Sequence, residues 1–182
     1  TYQRALADLG IDSVSDRGGS ILDTSEAEIF LALLAILDNP HQDVPLATVL
    51  ASPVFGFSPD ELAAPRTLSR SGGYYDALRA MEPKPEKATR FLAWLDDLRA
   101  RMDDLPLPEL IDAIFDSTGM FDIFSALPDG VQRAKNLAAL RDLAIAAGKN
   151  ESCTLFSFRT QLAQMKERGI LPPAAGTARE NA

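Results

Sequence analysis

Hydrophobic and polar positions follow a helical period along nearly all of the chain. In most segments the apolar residues recur three or four positions apart, which places them on one face of an α-helix. The longer of these segments span residues 86–102, 107–117, 131–147 and 154–168, and shorter ones span 43–50 and 75–81. The pattern predicts an all-α fold of several helices, with at most one short strand near the N-terminus.

One predicted helix is apolar on every face. Residues 29–37 read Ile-Phe-Leu-Ala-Leu-Leu-Ala-Ile-Leu, and a helix of this kind is buried on all sides. We expect the helix to begin near Thr24 or Ser25, since Ser25 and Glu28 have the spacing of a capping box. The sequence Asp38-Asn39-Pro40 should end it, and Asp43 is expected to cap the next helix.

A second helix start is predicted at Ser58. Ser58, Pro59 and Glu61 supply an N-cap hydroxyl, a proline at the first helical position and a carboxylate at the third, which together favour a helix N-terminus. Pro65 should end or kink this helix early, because proline lacks the N–H that a helix interior needs.

The two ends of the chain differ from its middle. Residues 2–9 indicate the end of a helix, and residues 11–17 are the one strand candidate. Because Thr1 falls within a helical pattern, we expect the chain to be a segment of a longer protein. Residues 172–182 are rich in Pro, Ala, Gly and polar side chains, which is typical of a disordered tail or linker.

Charge and composition restrict the possible functions. The 182 residues carry a net charge of −8, and all of the excess lies within residues 1–65. Nucleic-acid binders usually show a basic surface, so we expect the isolated chain to bind DNA weakly or not at all. The longest apolar run is too short to cross a bilayer. The single cysteine, Cys153, allows no internal disulfide and fits a reducing cytoplasm.

No residue pattern predicts catalysis, cofactor binding or a metal site. The sequence lacks a Walker A motif, and the pairs Gly18-Gly19 and Gly72-Gly73 are expected to be ordinary turns. The lone His41 is expected to be an exposed loop residue. Paired acids such as Asp60 and Glu61 occur in the first turns of predicted helices, where they interact favourably with the helix dipole. Trp94 is expected to lie in the core.

The segment Ser52–Ser58 is the strongest candidate for a ligand contact. A tight glycine turn leads there into a capped helix start, where free backbone N–H groups could bind a phosphate. Its candidate contact residues are Ser52, Phe55, Gly56, Phe57 and Ser58. A corner that only packs is the alternative, and the acids at the helix start would oppose a phosphate.

Four segments together resemble the AddA-type helicase–nuclease family, within the UvrD-like helicases. Residues 5–11 with Gly18-Gly19 are similar to the end of that family's motif IV region. Residues 26–46, ending in L-D-N-P-x-Q-D-x-P-L, are similar to the opening of its inserted accessory (2B) subdomain. Residues 52–62 resemble a turn that contacts duplex DNA, although Ser58 replaces its second glycine. Residues 132–140 resemble its R-x-x-N-L-x-x-L helix.

The resemblance implies a division of the chain and a role for it. Residues 1–22 would end the second motor domain, 23–170 would form a 2B-like accessory subdomain, and 171–182 would be a tail or linker. The lobe would guide or contact duplex DNA during double-strand-break repair and recombination, with Arg133 and Lys135 as further contact candidates.

Catalysis would belong to the parent protein. It would use ATP and Mg²⁺ to unwind and cut DNA, whereas this part of it would have no catalytic centre and no cofactor. The alternative role is a protein-interaction lobe that docks the helicase to an AddB-like partner, and the acidic first third of the chain favours it because acids repel phosphates.

Overall fold

A computed structural model of the chain describes residues 20–68, 71–150 and 153–168. This part contains nine α-helices, preceded by a 3₁₀ turn at Ile21–Asp23, and it has no β-strand. The helices are α1 (Ser25–Asp38), α2 (Asp43–Ala51), α3 (Pro59–Leu68), α4 (Tyr74–Ala80), α5 (Glu86–Arg101), α6 (Leu107–Thr118), α7 (Met120–Ser125), α8 (Gly130–Gly148) and α9 (Leu155–Glu167). The all-α prediction is confirmed. The predicted strand at 11–17, the helix end at 2–9 and the tail at 172–182 lie outside the described residues.

Helix α1 is the centre of the core, as its apolar sequence predicts. Within residues 29–37 only Leu31 is not buried. The Phe30 ring stacks on Phe115 of α6, with 5.3 Å between the ring centroids. Each fully buried large side chain contributes about 1.5–3 kcal/mol relative to its exposed state, so α1 supplies much of the packing energy.

Ion pairs and hydrogen bonds set the directions of the helices around α1. Arg133 in the first turns of α8 binds Glu26 at the start of α1, whereas Arg159 in the first half of α9 binds Asp38 at the end of α1. Near the C-terminus of α5, Arg99 donates to the carbonyl of Leu37. The start of α8 therefore lies beside the start of α1, and the end of α5 lies beside its end. Helix α9 runs antiparallel to α1, since Lys166 near its end lies 3.9 Å from Glu28.

Helix α1 begins at Ser25, as predicted for a start near Thr24 or Ser25, but the predicted capping box at Ser25 and the predicted cap at Asp43 are wrong. Thr24, not Ser25, is the N-cap of α1 and its side chain makes no capping bond, while the Ser25 hydroxyl bonds to the carboxylate of Glu26. Asp43 is the first residue of α2 rather than its cap. Its carboxylate instead accepts from Arg66 at 2.7 Å and from the Tyr74 N–H at 3.0 Å, because these long-range donors lie within its reach.

Pro65 does not end α3, which continues to Leu68. The proline is buried, so the packing of its ring offsets part of the cost of the missing N–H. Arg66 also holds the last turn, since its guanidinium donates to the Gly72 carbonyl and the Asp43 carboxylate, each at 2.7 Å. The predicted start of α3 is confirmed: the Ser58 N–H donates to Glu61, and the Glu61 N–H donates to the Ser58 hydroxyl.

Candidate nucleic-acid interface

The turn Ser52–Ser58 joins α2 to α3 and is held by its own backbone. The N–H groups of Phe55 and Gly56 donate to the Ser52 carbonyl at 3.2 and 2.7 Å, and the Phe57 N–H donates to the Leu50 carbonyl at 2.9 Å. Gly56 has a φ of 62°, a left-handed conformation that costs other residues roughly 1–2 kcal/mol. The local sequence therefore fixes a rigid corner with Gly56 at its exposed tip.

The N–H groups of the five candidate residues of this turn are already used. The Ser52 N–H donates to the Val49 carbonyl at 3.1 Å, and the Ser58 N–H donates to the Glu61 carboxylate at 2.7 Å. Together with the bonds above, every candidate N–H of the turn has an acceptor within the chain. The five candidate residues therefore offer no free N–H group, and they would have to meet a phosphate through other donors.

Lys87 at the start of α5 supplies such a donor, and no feature of the sequence predicts it. Its ammonium donates to the Gly56 carbonyl at 2.9 Å and to the Glu61 carboxylate at 2.8 Å. It also lies 5.3 Å from the centroid of the Phe57 ring. An ammonium has three N–H groups, so one is left over after these two bonds. No local signal points to Lys87, because it is 31 residues from Gly56 along the chain.

The same contact changes the electrostatics of the helix start. The hydrogen bond from Lys87 and the one from the Ser58 N–H lower the pKa of the Glu61 carboxyl. Glu61 is thus ionised but paired, and its repulsion of an approaching phosphate is weakened. Asp60 remains exposed and has no cation partner among the described residues, so part of the predicted repulsion persists.

The aromatic candidates of the turn face inward. Phe55 lies 5.0 Å from Phe91 and 5.0 Å from Trp94 between ring centroids, and Phe57 is only 7% exposed. Trp94 packs with them and is half-buried against the core rather than within it, and its indole N–H donates to the Ser117 hydroxyl at 2.9 Å. These ring contacts anchor the turn to α5.

Arg133 is bound within the protein. Its guanidinium donates to the Glu26 carboxylate at 2.7 Å, to the Ser25 hydroxyl at 2.7 Å and to the Pro128 carbonyl at 2.9 Å. Asn136 donates to the other Glu26 oxygen at 2.6 Å. We name this group, Ser25, Glu26, Arg133 and Asn136, the clasp. It ties the start of α8 to the start of α1.

The clasp surrounds a carboxylate that is only 2% exposed. Burial raises the pKa of the Glu26 carboxyl, but the hydrogen bonds to it and the charge of Arg133 outweigh burial, so the pKa lies below its usual value. Glu26 is therefore ionised and needs both partners. Arg133 thus positions two helices. Of the two further contact candidates, Arg133 and Lys135, only Lys135 is exposed and has no partner in the described part of the chain.

The two groups of contact candidates come from different elements. The turn packs on the first half of α5, whereas Arg133 and Lys135 lie at the start of α8 beside the start of α1. No hydrogen bond or ion pair joins the two groups within residues 20–68, 71–150 and 153–168.

Other candidate chemistry remains dispersed. His41 is exposed, with its Nδ1 3.5 Å from a carboxylate oxygen of Asp76 and its ring edge-on to Tyr75. Cys153 is a free thiol, 3.5 Å from the Ser157 hydroxyl. Across the described residues, no three His, Cys, Asp or Glu side chains are grouped to hold a metal ion. No helix of this part has the length and apolar character needed to span a membrane.

Comparison with known proteins places the chain in a family, although no family model matches it. It is 38% identical over 81% of its length to the AddA-type subunit of the ATP-dependent helicase/nuclease of Leuconostoc mesenteroides. It is 36% identical over 88% to that of Geobacillus kaustophilus and 34% identical over 100% to that of Desulforamulus reducens. The chain spans 12%, 14% and 15% of these relatives, respectively. Over this segment, the chain belongs to the AddA-type family of ATP-dependent helicase/nuclease subunits.

Proposed function

We propose that the chain is the accessory, 2B-like subdomain of an ATP-dependent DNA helicase/nuclease that acts in double-strand-break repair and recombination. Its role would be to contact and guide duplex DNA. ATP hydrolysis with Mg²⁺ and strand cleavage would belong to other parts of the full-length protein. The observation that carries the proposal is the rigid Ser52–Ser58 turn, which exposes Gly56 and Ser58 above the Lys87 ammonium.

The contact would use side-chain donors and open space. A Cβ built on Gly56 would meet no atom within 4 Å, so a DNA backbone can approach the tip closely. The Ser58 hydroxyl accepts the Glu61 N–H, which leaves its own hydrogen free to donate. The third N–H of the Lys87 ammonium is a further donor. Contacts to phosphates of this kind position a protein on DNA without reading its sequence.

The contact would be weak by itself. Lys87 is paired with Glu61 at 2.8 Å, so the pair adds little net positive charge, and Asp60 is nearby. Most of the affinity of a DNA-binding protein comes from uncompensated cations near phosphates. The lobe would therefore orient a duplex that the rest of the helicase holds.

A pair of substitutions at one position tests the contact. In the full-length helicase/nuclease, Gly56→Glu and Gly56→Lys impose the same backbone strain but opposite charges. One unit charge near a phosphate is worth about 1 kcal/mol. The two variants differ by two charges, about 2 kcal/mol, so the Glu variant should bind duplex DNA about thirtyfold more weakly than the Lys variant. Duplex affinity and unwinding rate are the measurements.

Ile145→Glu on the exposed face of α8 is the control for adding a negative charge elsewhere, and it should leave DNA affinity at the wild-type value. Equal affinities of the Glu and Lys variants at Gly56 would overturn the proposed contact, whether both match the wild type or both fall below it.

A second candidate function is docking to an AddB-like partner. An open groove with an exposed phenylalanine at the opposite end of α1 favours it. Photo-crosslinkers in the intact enzyme distinguish the two functions. A crosslinker at Pro53 should label DNA if the turn contacts the duplex, and one at Phe156 should label protein if the lobe docks. Labelling of DNA from Phe156 would count against docking.

A further inference from the structure

A groove of about 660 Å³ opens where α1, α5 and α8 all end. Its walls come from the α5–α6 connection, the last residue of α8 and the first turn of α9. Leu107 and Leu155 form a buried floor, at 5% and 7% exposed, and Phe156 stands beside it 65% exposed. Met102 and Leu105 are half-buried at its edge. The groove thus has an apolar surface that is only partly covered.

The charged residues that line the groove, in the described part of the chain, are all acidic. Among residues 20–68, 71–150 and 153–168, its lining includes Asp38, Asp103 and Asp104 and contains no lysine, arginine or histidine. Asp38 is bound by Arg159. Asp103 and Asp104 are exposed, and neither has a cation partner in the part of the chain that the structure describes. Two uncompensated negative charges therefore stand beside the apolar surface.

The apolar surface and the two exposed acids indicate which kind of molecule can bind in the groove. Two acids would repel a phosphate backbone, so the groove does not suit nucleic acid. A second copy of this chain would bring a further net charge of −8, so self-association is also disfavoured. A cationic peptide segment with an apolar side chain meets both features at once, since its bases face the acids and its apolar group covers Phe156.

We propose that this groove binds a basic, apolar-anchored segment of a partner protein. The inference rests on the second candidate function, docking. It adds where the partner would bind and which kind of segment it would present. It is independent of the DNA contact, because the turn packs against Lys87 about 18 Å along α5 from Arg99, which marks the groove end of α1. Both contacts can therefore exist in one protein.

A model peptide tests the chemistry. The probe is a fluorescein-labelled 14-residue helix of Lys, Leu and Ala with its lysines on one face, and its counterpart has Glu in place of each Lys. Fluorescence anisotropy is measured with the intact chain at 0.15 M salt. The Lys peptide should bind and the Glu peptide should not.

Matched variants locate the binding. The double variant Asp103→Asn and Asp104→Asn should weaken binding of the Lys peptide about fivefold, as expected for two exposed ion pairs. Asp60→Asn with Glu82→Gln removes two exposed, unpaired acids elsewhere and should change it less than twofold. Phe156→Ser should also weaken binding, whereas Val131→Ser, at a residue 76% exposed on α8, should not.

Three results would overturn the proposal. They are no binding of the Lys peptide by the wild-type chain, equal loss in the groove pair and the control pair, and a peptide-independent doubling of mass in sedimentation that Phe156→Ser abolishes. The last result would assign the groove to a second copy. None of these measurements involves DNA, so their failure is distinguishable from failure of the contact at the turn.

Discussion

At the scale of single residues, Glu26 has the greatest consequence for stability. Its carboxylate is 2% exposed and receives hydrogen bonds from Arg133, Asn136 and Ser25. Removing one partner of a buried ion pair leaves the other charge without compensation, which costs more than the intact pair contributes. The clasp is therefore a point where a single substitution separates two helices.

Glu26→Ala should lower the free energy of unfolding by about 2–4 kcal/mol, because Arg133 and Asn136 both lose their acceptor. The control is Glu28→Ala on the same helix, at an exposed acid 3.9 Å from Lys166, which should cost less than about 0.5 kcal/mol. Urea denaturation measures both. Similar losses of unfolding free energy in the two variants would show that the clasp stabilises the fold no more than an exposed ion pair does.

The clasp also predicts how stability depends on pH. Because the pKa of Glu26 is lowered on folding, the unfolded chain binds more protons there, and stability rises with pH. The contribution is complete above the ordinary carboxyl pKa of 4.5 and is lost as pH falls through the lowered value.

In Glu26→Gln, unfolding midpoints measured between pH 3 and 6 should rise less steeply with pH than in the wild type. Part of the slope should remain, because the hydrogen bond from Arg141 similarly lowers the pKa of Asp112. A slope equal to that of the wild type would contradict this account of Glu26.

At the scale of elements, α1 organises the lobe because its neighbours cover nearly all of it. Leu33 is fully buried and Leu31 is only partly buried on the same helix. Leu33→Ala should cost about 3–5 kcal/mol through lost burial and the cavity that remains. Leu31→Ala should cost about 1 kcal/mol, since less of its surface is removed from water. Thermal and urea unfolding compare the two, and equal losses would contradict the central position of α1.

The elements also show which predictions a sequence can support. The Ser58–Glu61 capping box is predictable because both bonds lie within three residues. The similar spacing of Ser25 and Glu28 misleads, since Ser25 is engaged by Arg133, 108 residues away. For the same reason, the sequence alone does not show that the Arg133 guanidinium is already bound, so it predicts Arg133 as a DNA contact. Its partner, Glu26, is adjacent only in the folded lobe.

Lys87 illustrates the same limit at the candidate interface. The sequence indicates a turn and a helix start, but it does not indicate that a lysine from α5 would bind the Gly56 carbonyl and Glu61. The apolar periodicity of α5 predicts that Phe91 and Leu95 enter the core, where both are buried. The register that carries Lys87 to the turn depends on side-chain packing between α5 and the aromatic rings, which periodicity alone does not fix.

At the scale of the whole molecule, the lobe presents different chemistry at its two ends. The turn with Gly56 and Lys87 lies on the first half of α5, and the acidic groove lies where α1 ends. The chain that carries both features has a net charge of −8. Long-range repulsion should therefore keep the isolated chain away from DNA, even though the turn can contact a duplex held by other parts of a helicase.

The isolated chain should bind a labelled duplex at 0.15 M salt with a dissociation constant weaker than about 100 µM, the weak limit of non-specific DNA binding. The full-length protein with the same lobe is the comparison, and fluorescence anisotropy is the measurement. Tight binding by the isolated chain, with an affinity that falls steeply as salt rises, would show that the charge argument is wrong.

The packing of Trp94 has a practical consequence. It is the only tryptophan of the chain, and its ring lies 5.0 Å from Phe55 behind the turn. Indole emission responds to its surroundings, so a duplex seated on the turn should alter the intrinsic fluorescence without any attached dye. A peptide in the groove at the other end should leave that emission unchanged. The molecule thus carries a built-in optical reporter that distinguishes occupancy of its two ends.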